Sequence, residues 1–292
     1  MDTGAGSSTI PNFDSGFPVD FAFYKSVSAT SDWITGSRLI SGKYLHVNNT
    51  DAASSSNVMH YDSNVGWNKD SSGNSSWQSW MWKRHAGFDV VTWKSGGSGE
   101  THFHGLGKAP EMIWIKNRSS TALWRGGHKG LNGGTNPWTY GFTLNNDSAE
   151  FQEVGTFWNG VVPSATSFST GSAADAGGTS GNNYIAMLFA SVDGISKVGS
   201  YTGTSSNPSV TITTGFSPRF LLIKRVDASR DWCVFDTLRG IGSGSNDYKL
   251  RLNSDVAQSN GQFVDVTSTG FTAQNVLDVG TDGGKYIYYA HA

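Results

Sequence analysis

The chain has 292 residues, 11 of them Trp, with 37 Gly, only 7 Pro, 15% charged residues and a net charge of −2. No Lys/Arg run offers a phosphate-tracking groove, so no nucleic-acid partner is expected, and no apolar run approaches the ~18 residues of a membrane span, so no membrane insertion is expected. Few charges beside many aromatics is a composition that buries a core rather than one that stays disordered.

The opening stretch, MDTGAGSSTI, lacks the charged and apolar regions of a secretion signal. From there one pattern is met three times: Pro18, Lys25 and Trp33; Pro110, Lys116 and Trp124; Pro218, Lys224 and Trp232. The second and third copies are offset by 108 residues, and Lys-to-Trp spacing is 8 in all three. An Asn follows each Trp (Asn48, Asn145 and Asn253) with an Ala four residues on, although the Trp-to-Asn spacing is 15 in the first copy and 21 in the others. An aromatic stretch closes each copy: WMWKRHA from Trp80, YIAMLFA from Tyr184 and YIYYAHA from Tyr286. Repeats of this length predict a tandem array of units, 1–86, 87–193 and 194–292.

Alternating apolar runs punctuated by Gly, Asn, Ser and Asp predict strands near 89–94, 100–104, 111–117, 122–126, 141–145, 150–154 and 183–190 of the second copy. In the third copy they fall near 197–202, 209–213, 219–225, 231–236, 248–253, 262–266 and 285–291. No amphipathic helix of useful length is visible. The fold class is therefore all-β, with three tandem small antiparallel β-sandwich units. The first copy starts in the middle of its first strand, with Thr3 and Gly4 matched to Thr202 and Gly203. An incomplete sheet leaves an unpaired edge, which a partner chain or a neighbouring module would complete.

Candidate chemistry is sparse. His102 and His104 lie two apart in a predicted strand and face one side, a pattern that can supply two metal ligands; the apolar Val210 and Ile212 at the matching positions favour a packed pair instead. The carboxylates Asp32, Asp231, Asp236, Glu150 and Glu153 form no recurring pair of the kind glycan hydrolysis needs. The turn Asn145-Asn146-Asp147 lacks the spacing of a calcium loop, and GGSGE at 96–100 is a hairpin loop with no helix behind it. No catalytic residues and no cofactor are expected. Cys233, beside Trp232 in a predicted strand, reads as a buried structural thiol. Lys25, Lys116 and Lys224 end the central strand of each unit. Their stems would cover the Trp eight residues on, with the ammonium in water or over the indole face.

The stretches GFPVDFAF (16–23), SWMWKRHAGFDVVTW (79–93), HGLGKAPEMIWIKNR (104–118), NNYIAMLFASVDGISKVGSYTG (182–203), GFSPRFLLIKRVDASRDWCVFDTLRG (215–240) and GGKYIYYAHA (283–292) resemble a tandem β repeat found in virion proteins of tailed, especially marine, bacteriophages. The resemblance covers essentially the whole chain. It implies a non-enzymatic structural protein, assembled in the cytoplasm of a bacterial host and carried in the virion as a tail-fibre or other appendage component. Its expected partners are other virion proteins, copies of itself in a homotrimer, and a glycan or protein of the host surface. Candidate contact residues are loop aromatics: Trp67, Trp138, Tyr140, Phe157 and Trp158. A capsid-decorating protein and a glycan-binding or glycan-degrading appendage are the alternatives.

Overall fold

The computed structural model describes residues 1–4, 11–56, 58–70, 76–242 and 246–292. Strands dominate, joined by turns and four short 3-10 segments among the described residues. The strands form an all-β, antiparallel sandwich architecture.

Each third of the chain builds one larger sheet around its Lys-ended strand. In the second repeat the order is Phe151–Gln152, Tyr140–Thr143, Arg125–His128, Met112–Asn117, Asn183–Phe189 and Phe88–Lys94. In the third it is Ser259–Gly261, Asp247–Arg251, Trp232–Asp236, Phe220–Arg225, Lys285–His291 and Ser196–Thr202. In the first it is Leu45–His46, Ile34–Ser37, Phe21–Ser26, Trp77–Trp82 and Asp2–Thr3. A smaller sheet accompanies each: Phe13–Asp14 with Gly66–Lys69 and Met59–His60, Glu100–Phe103 with Ser167–Thr170, and Val210–Thr213 with Gly270–Ala273 and Val264–Thr267.

The central strands are buried along their length, unlike the half-solvated strands usual in antiparallel sheets. Side chains alternate between two faces, and here both faces meet a core. Ile113 and Ile115 pack with Phe168 of their own smaller sheet; Leu221 and Ile223 do so with Ile212 and Phe271; Ala22 and Tyr24 do so with Phe13 and Trp67. The alternate residues converge instead on a single central core. Phe21 and Phe23, Met112 and Trp114, and Phe220 and Leu222 meet there, with Trp33, Trp124 and Trp232. The three larger sheets thus close around one shared interior rather than lining up as beads.

Register corrects one sequence alignment. Lys25 pairs with Gln78, Lys116 with Ile185 and Lys224 with Ile287. Trp77, not Trp80, therefore stands in the place of Tyr184 and Tyr286. The run of Trp at 77, 80 and 82 let aromatic spacing mislead by three residues. Likewise Thr3 pairs with Gln78 and Ser200 with Ile287, so Thr3 matches Ser200 rather than Thr202.

Strands Ser167–Thr170 and Gly270–Ala273 fall outside the sequence expectation, and Arg125–His128 replaces the expected 122–126. The Gly126-Gly127 pair hides that strand from propensity but is required by packing. A Cβ on Gly126 would sit 2.2 Å from Phe142 Cζ and 2.7 Å from the Ile113 carbonyl oxygen; on Gly127 it would sit 2.6 Å from Trp138 Cζ3. Phe142 cannot swing away, because it packs against Trp232 with ring centroids 4.8 Å apart. Gly126→Ala is therefore expected to cost about 1–3 kcal/mol by overpacking, read as a lowered urea midpoint at unchanged slope.

Candidate functional site

The recurring residues assemble at three equivalent junctions between repeats. Each Lys is fully buried. Lys25 Nζ donates to the carbonyls of Ser31 and, in the third repeat, Asp255. Lys116 Nζ donates to those of Ala122 and, in the first repeat, Thr50. Lys224 Nζ donates to those of Arg230 and, in the second repeat, Asp147, as well as to Arg225. The ammonium groups are therefore inside the protein, not in water as one sequence reading had them. Three carbonyl dipoles or fewer must offset the loss of hydration of each charge. Burial pushes all three lysines down to about 8. Two of the indole rings also lie near the charge, 5.9 Å from Lys25 Nζ and 6.0 Å from Lys116 Nζ.

The Trp and Asn complete each junction. The backbone N–H of Trp33, Trp124 and Trp232 donates to Oδ1 of Asn48, Asn145 and Asn253 at 2.8 Å in every case. Each indole N–H crosses to the neighbouring repeat: Trp33 to the Arg251 carbonyl at 2.8 Å, Trp124 to His46 at 2.7 Å, Trp232 to Thr143 at 3.0 Å. Backbone bonds run the same way, from Ser31 to Asp255, from Ala122 to Thr50 and from Arg230 to Asp147. The first repeat thus grips the third, the third grips the second, and the second grips the first. This closes a ring, and it explains why spacing from Lys to Trp is invariant while the loop from Trp to Asn can lose six residues. That segment is a hairpin of the larger sheet, and its turn can shorten as long as the second strand returns the Asn to the Trp N–H.

The carboxylates weighed for catalysis have structural partners. Asp32 and Asp231 hold the amides of Asn48 and Asn253 at 2.8 Å. Asp236, fully buried, caps the segment Thr237–Arg239, pairs with Arg239 and accepts from Trp80 Nε1 at 3.1 Å. Glu150 accepts from the Asn132 backbone and Glu153 from the Phe157 backbone. Asn146 accepts from the Ser148 backbone at 3.0 Å. Cys233 is buried, and burial pushes its thiol up to about 12, which makes it a packing residue rather than a nucleophile.

His102 is buried in the smaller sheet of the second repeat. Its ring lies 4.2 Å from that of Trp93 and 5.2 Å from that of Phe168, and Nε2 meets Thr170 Oγ1 at 2.9 Å. His104 lies just beyond the strand, and its Nδ1 accepts from the Leu106 backbone at 3.3 Å. Burial lowers the pKa of both. Among the described residues no group of three or more His, Cys, Asp or Glu could hold a metal.

The loop aromatics expected as contact residues correct the sequence reading. Trp67 and Trp158 are fully buried, Trp138 and Phe157 nearly so, and Tyr140 is half-buried against the central core. Trp67 and Tyr140 lie in the strands Gly66–Lys69 and Tyr140–Thr143, and glycines seat the other three. Gly127 makes room for Trp138 and Trp158, and Gly141 for Phe157, so long loops fold their rings back onto the sheets. Large apolar side chains that do face solvent include Phe103, Val154 and Val162, none of which sequence reasoning singled out.

One apolar cleft of about 390 Å³ lies where the first and third repeats meet, lined by Met1, Phe17, Trp80, Met81, Trp82 and Phe220 with Lys83, His85, Arg219, His291 and Ala292. It borders the part of the strand Trp77–Trp82 beyond the two residue pairs made with Asp2–Thr3.

A family model described as a domain of unknown function (DUF7483) matches residues 81–292, which takes in the second and third repeats and the end of the first. No curated protein and no solved structure matches the chain.

Proposed function

The chain belongs to the family defined by the domain of unknown function DUF7483, and we propose that it is a non-enzymatic structural component of a phage particle, an appendage or tail-fibre module. The observation that carries this reading is the use made of the recurring polar residues. The repeated Lys, Trp and Asn side chains are spent on carbonyls and N–H groups of the junctions. What varies between repeats is the smaller sheet and the length of the hairpin that runs from Trp to Asn. A closed centre carrying variable smaller sheets and hairpin turns suits a scaffold that packs among other virion proteins and presents loops to a host surface. The repeat resemblance supports the same reading.

Two measurements test it. Light scattering is expected to give a monomer of 31.3 kDa, because three repeats already occupy the places that three copies would fill in a homotrimer. Immunogold labelling of intact particles, with antibody to the purified chain, is expected to mark tail appendages. Label on the shell would replace the appendage with a capsid-decorating role. Antigen found only in the soluble fraction of the lysate would overturn the reading.

A further inference from the structure

The three junctions share one plan but not one set of residues. Two of them carry an Asp seven residues after the Lys, Asp32 and Asp231, and a second Asp whose carbonyl the Lys reaches across to, Asp255 and Asp147. Where the second repeat grips the first, Leu123 and Thr50 take those places. Lys116 there reaches two carbonyls, while Lys224 reaches three. Side chains around this junction are short as well. Asn117 and Ala122 stand where the third repeat, 108 residues on, has Arg225 and Arg230. Ala174 stands where it has Leu277, since the carbonyls of these two accept from the equivalent hydroxyls of Tyr184 and Tyr286 at 2.7 and 3.1 Å.

The short side chains leave a cleft of about 440 Å³, within the range of small-ligand sites. Two of its lining residues, Thr50 and Ala122, supply the carbonyls that hold Lys116. Its polar walls are fixed in place. Asn117, 1% exposed, donates to the Ala174 carbonyl at 3.0 Å and to Tyr184 Oη at 3.1 Å, and accepts from the Ser119 backbone at 3.0 Å. Asp175 is held through Oδ2 by Arg125 at 2.6 Å, and Arg125 is held in turn by Thr143 Oγ1 at 2.7 Å. Asp175 Oδ1 and the hydroxyls of Thr50 and Thr121, which also line the cleft, make no hydrogen bond among the described residues.

Charge and hydrogen-bonding capacity select the ligand. An anion would meet the Asp175 carboxylate. A cation would lie close to the Lys116 ammonium, which has two carbonyls to offset it. A neutral ring bearing several hydroxyls meets neither penalty. It can donate to Asp175 Oδ1, exchange both hydrogen-bonding roles with the threonines, and rest its C–H face on Leu123 and Ala122. We propose that this cleft is a saccharide-binding site that takes a neutral sugar ring. That the sugar belongs to a host envelope rests on the appendage reading above; the site itself does not.

The probes are glucose, galactose and mannose, each beside its amino sugar and its uronic acid, titrated onto the full chain and followed by saturation-transfer NMR. At least one neutral hexose is expected to bind saturably, with a Kd of about 1 mM or tighter, and its two charged forms at least tenfold more weakly. Ala174→Leu and Ala122→Arg fill the cleft with side chains that the third repeat already carries. Both are expected to abolish binding with the melting curve unchanged. Thr121→Val removes one exposed hydroxyl at nearly constant shape and is expected to weaken binding threefold or more; it carries the comparison should a filling variant melt lower. Absence of saturable binding by all three neutral hexoses overturns the proposal. So does equal or tighter binding of the charged forms, and so does binding indifferent to the three variants. Sugar binding by the purified chain and labelling of the particle are read independently, so either can fail alone.

Discussion

Trp232→Ala is expected to destabilise the chain by about 3–5 kcal/mol, the range for deleting a large buried ring. The indole is 1% exposed, packs on Phe142 of the second repeat with centroids 4.8 Å apart, and donates to the Thr143 carbonyl at 3.0 Å. Both partners belong to the neighbouring repeat, so the substitution removes packing and a hydrogen bond from a junction and leaves the sandwich of the third repeat intact. Trp232→Phe separates the two effects. It keeps most of the ring and strands the Thr143 carbonyl, for an expected cost of about 1–3 kcal/mol. Urea unfolding of both variants is the measurement. A single transition, displaced further for Ala than for Phe, is expected from repeats that share one core. An early transition confined to one repeat, with the rest unchanged, would mean that the sandwiches stand independently and that the junctions contribute little.

The junctions were half legible in the sequence. The spacing of Lys25, Lys116 and Lys224 from their tryptophans marks a structural motif, and strand periodicity places most elements within a residue or two. What pattern cannot reveal is which chain segment a side chain reaches. Lys224 lies 77 residues from Asp147, and Lys25 lies 230 from Asp255. Only closure of the ring brings those carbonyls to the ammonium. A local device explains the error over the loop aromatics of the second repeat, which pack in its own outer core. A Trp in a Gly- and Asn-rich loop has the composition of an exposed contact residue, yet Gly127 and Gly141 open the sheet surface to receive Trp138, Trp158 and Phe157. Glycine read as a strand breaker was here a packing device. The burial of both faces of a sheet was legible in principle: MIWIK, FLLIK and FAFYK alternate nothing polar until the Lys, which is the signature of a strand between two cores.

Acid is expected to weaken the molecule through His128, at the junction of the second and third repeats. The imidazole is fully buried, Gly130 N–H donates to its Nδ1 at 2.9 Å, and Nε2 lies 3.4 Å from the Tyr288 carbonyl. Nδ1 must therefore be bare and Nε2 must carry the hydrogen, so the ring is neutral. Burial, ahead of the nearby Lys129, pushes its pKa down to about 3. In the unfolded chain the ring titrates near 6.5. Between those values the unfolded state binds the extra proton, and stability falls as pH falls. The contribution of His128 is fully present above about pH 6.5 and is lost progressively towards pH 3, on the order of 5 kcal/mol in all. Burial depresses His85, His102, His104 and His291 in the same direction. Protonating Nδ1 also breaks the bond to Gly130, whose Cα leaves no room for a side chain against Ser200, so loosening starts where the second repeat meets the third. His128→Asn keeps a short acceptor for the Gly130 N–H and removes the titration. Urea midpoints measured from pH 7 to pH 4.5 are expected to fall steeply for the wild-type chain and distinctly less for His128→Asn, even though the variant starts from a lower stability at pH 7. Parallel slopes would locate the acid sensitivity in the other histidines.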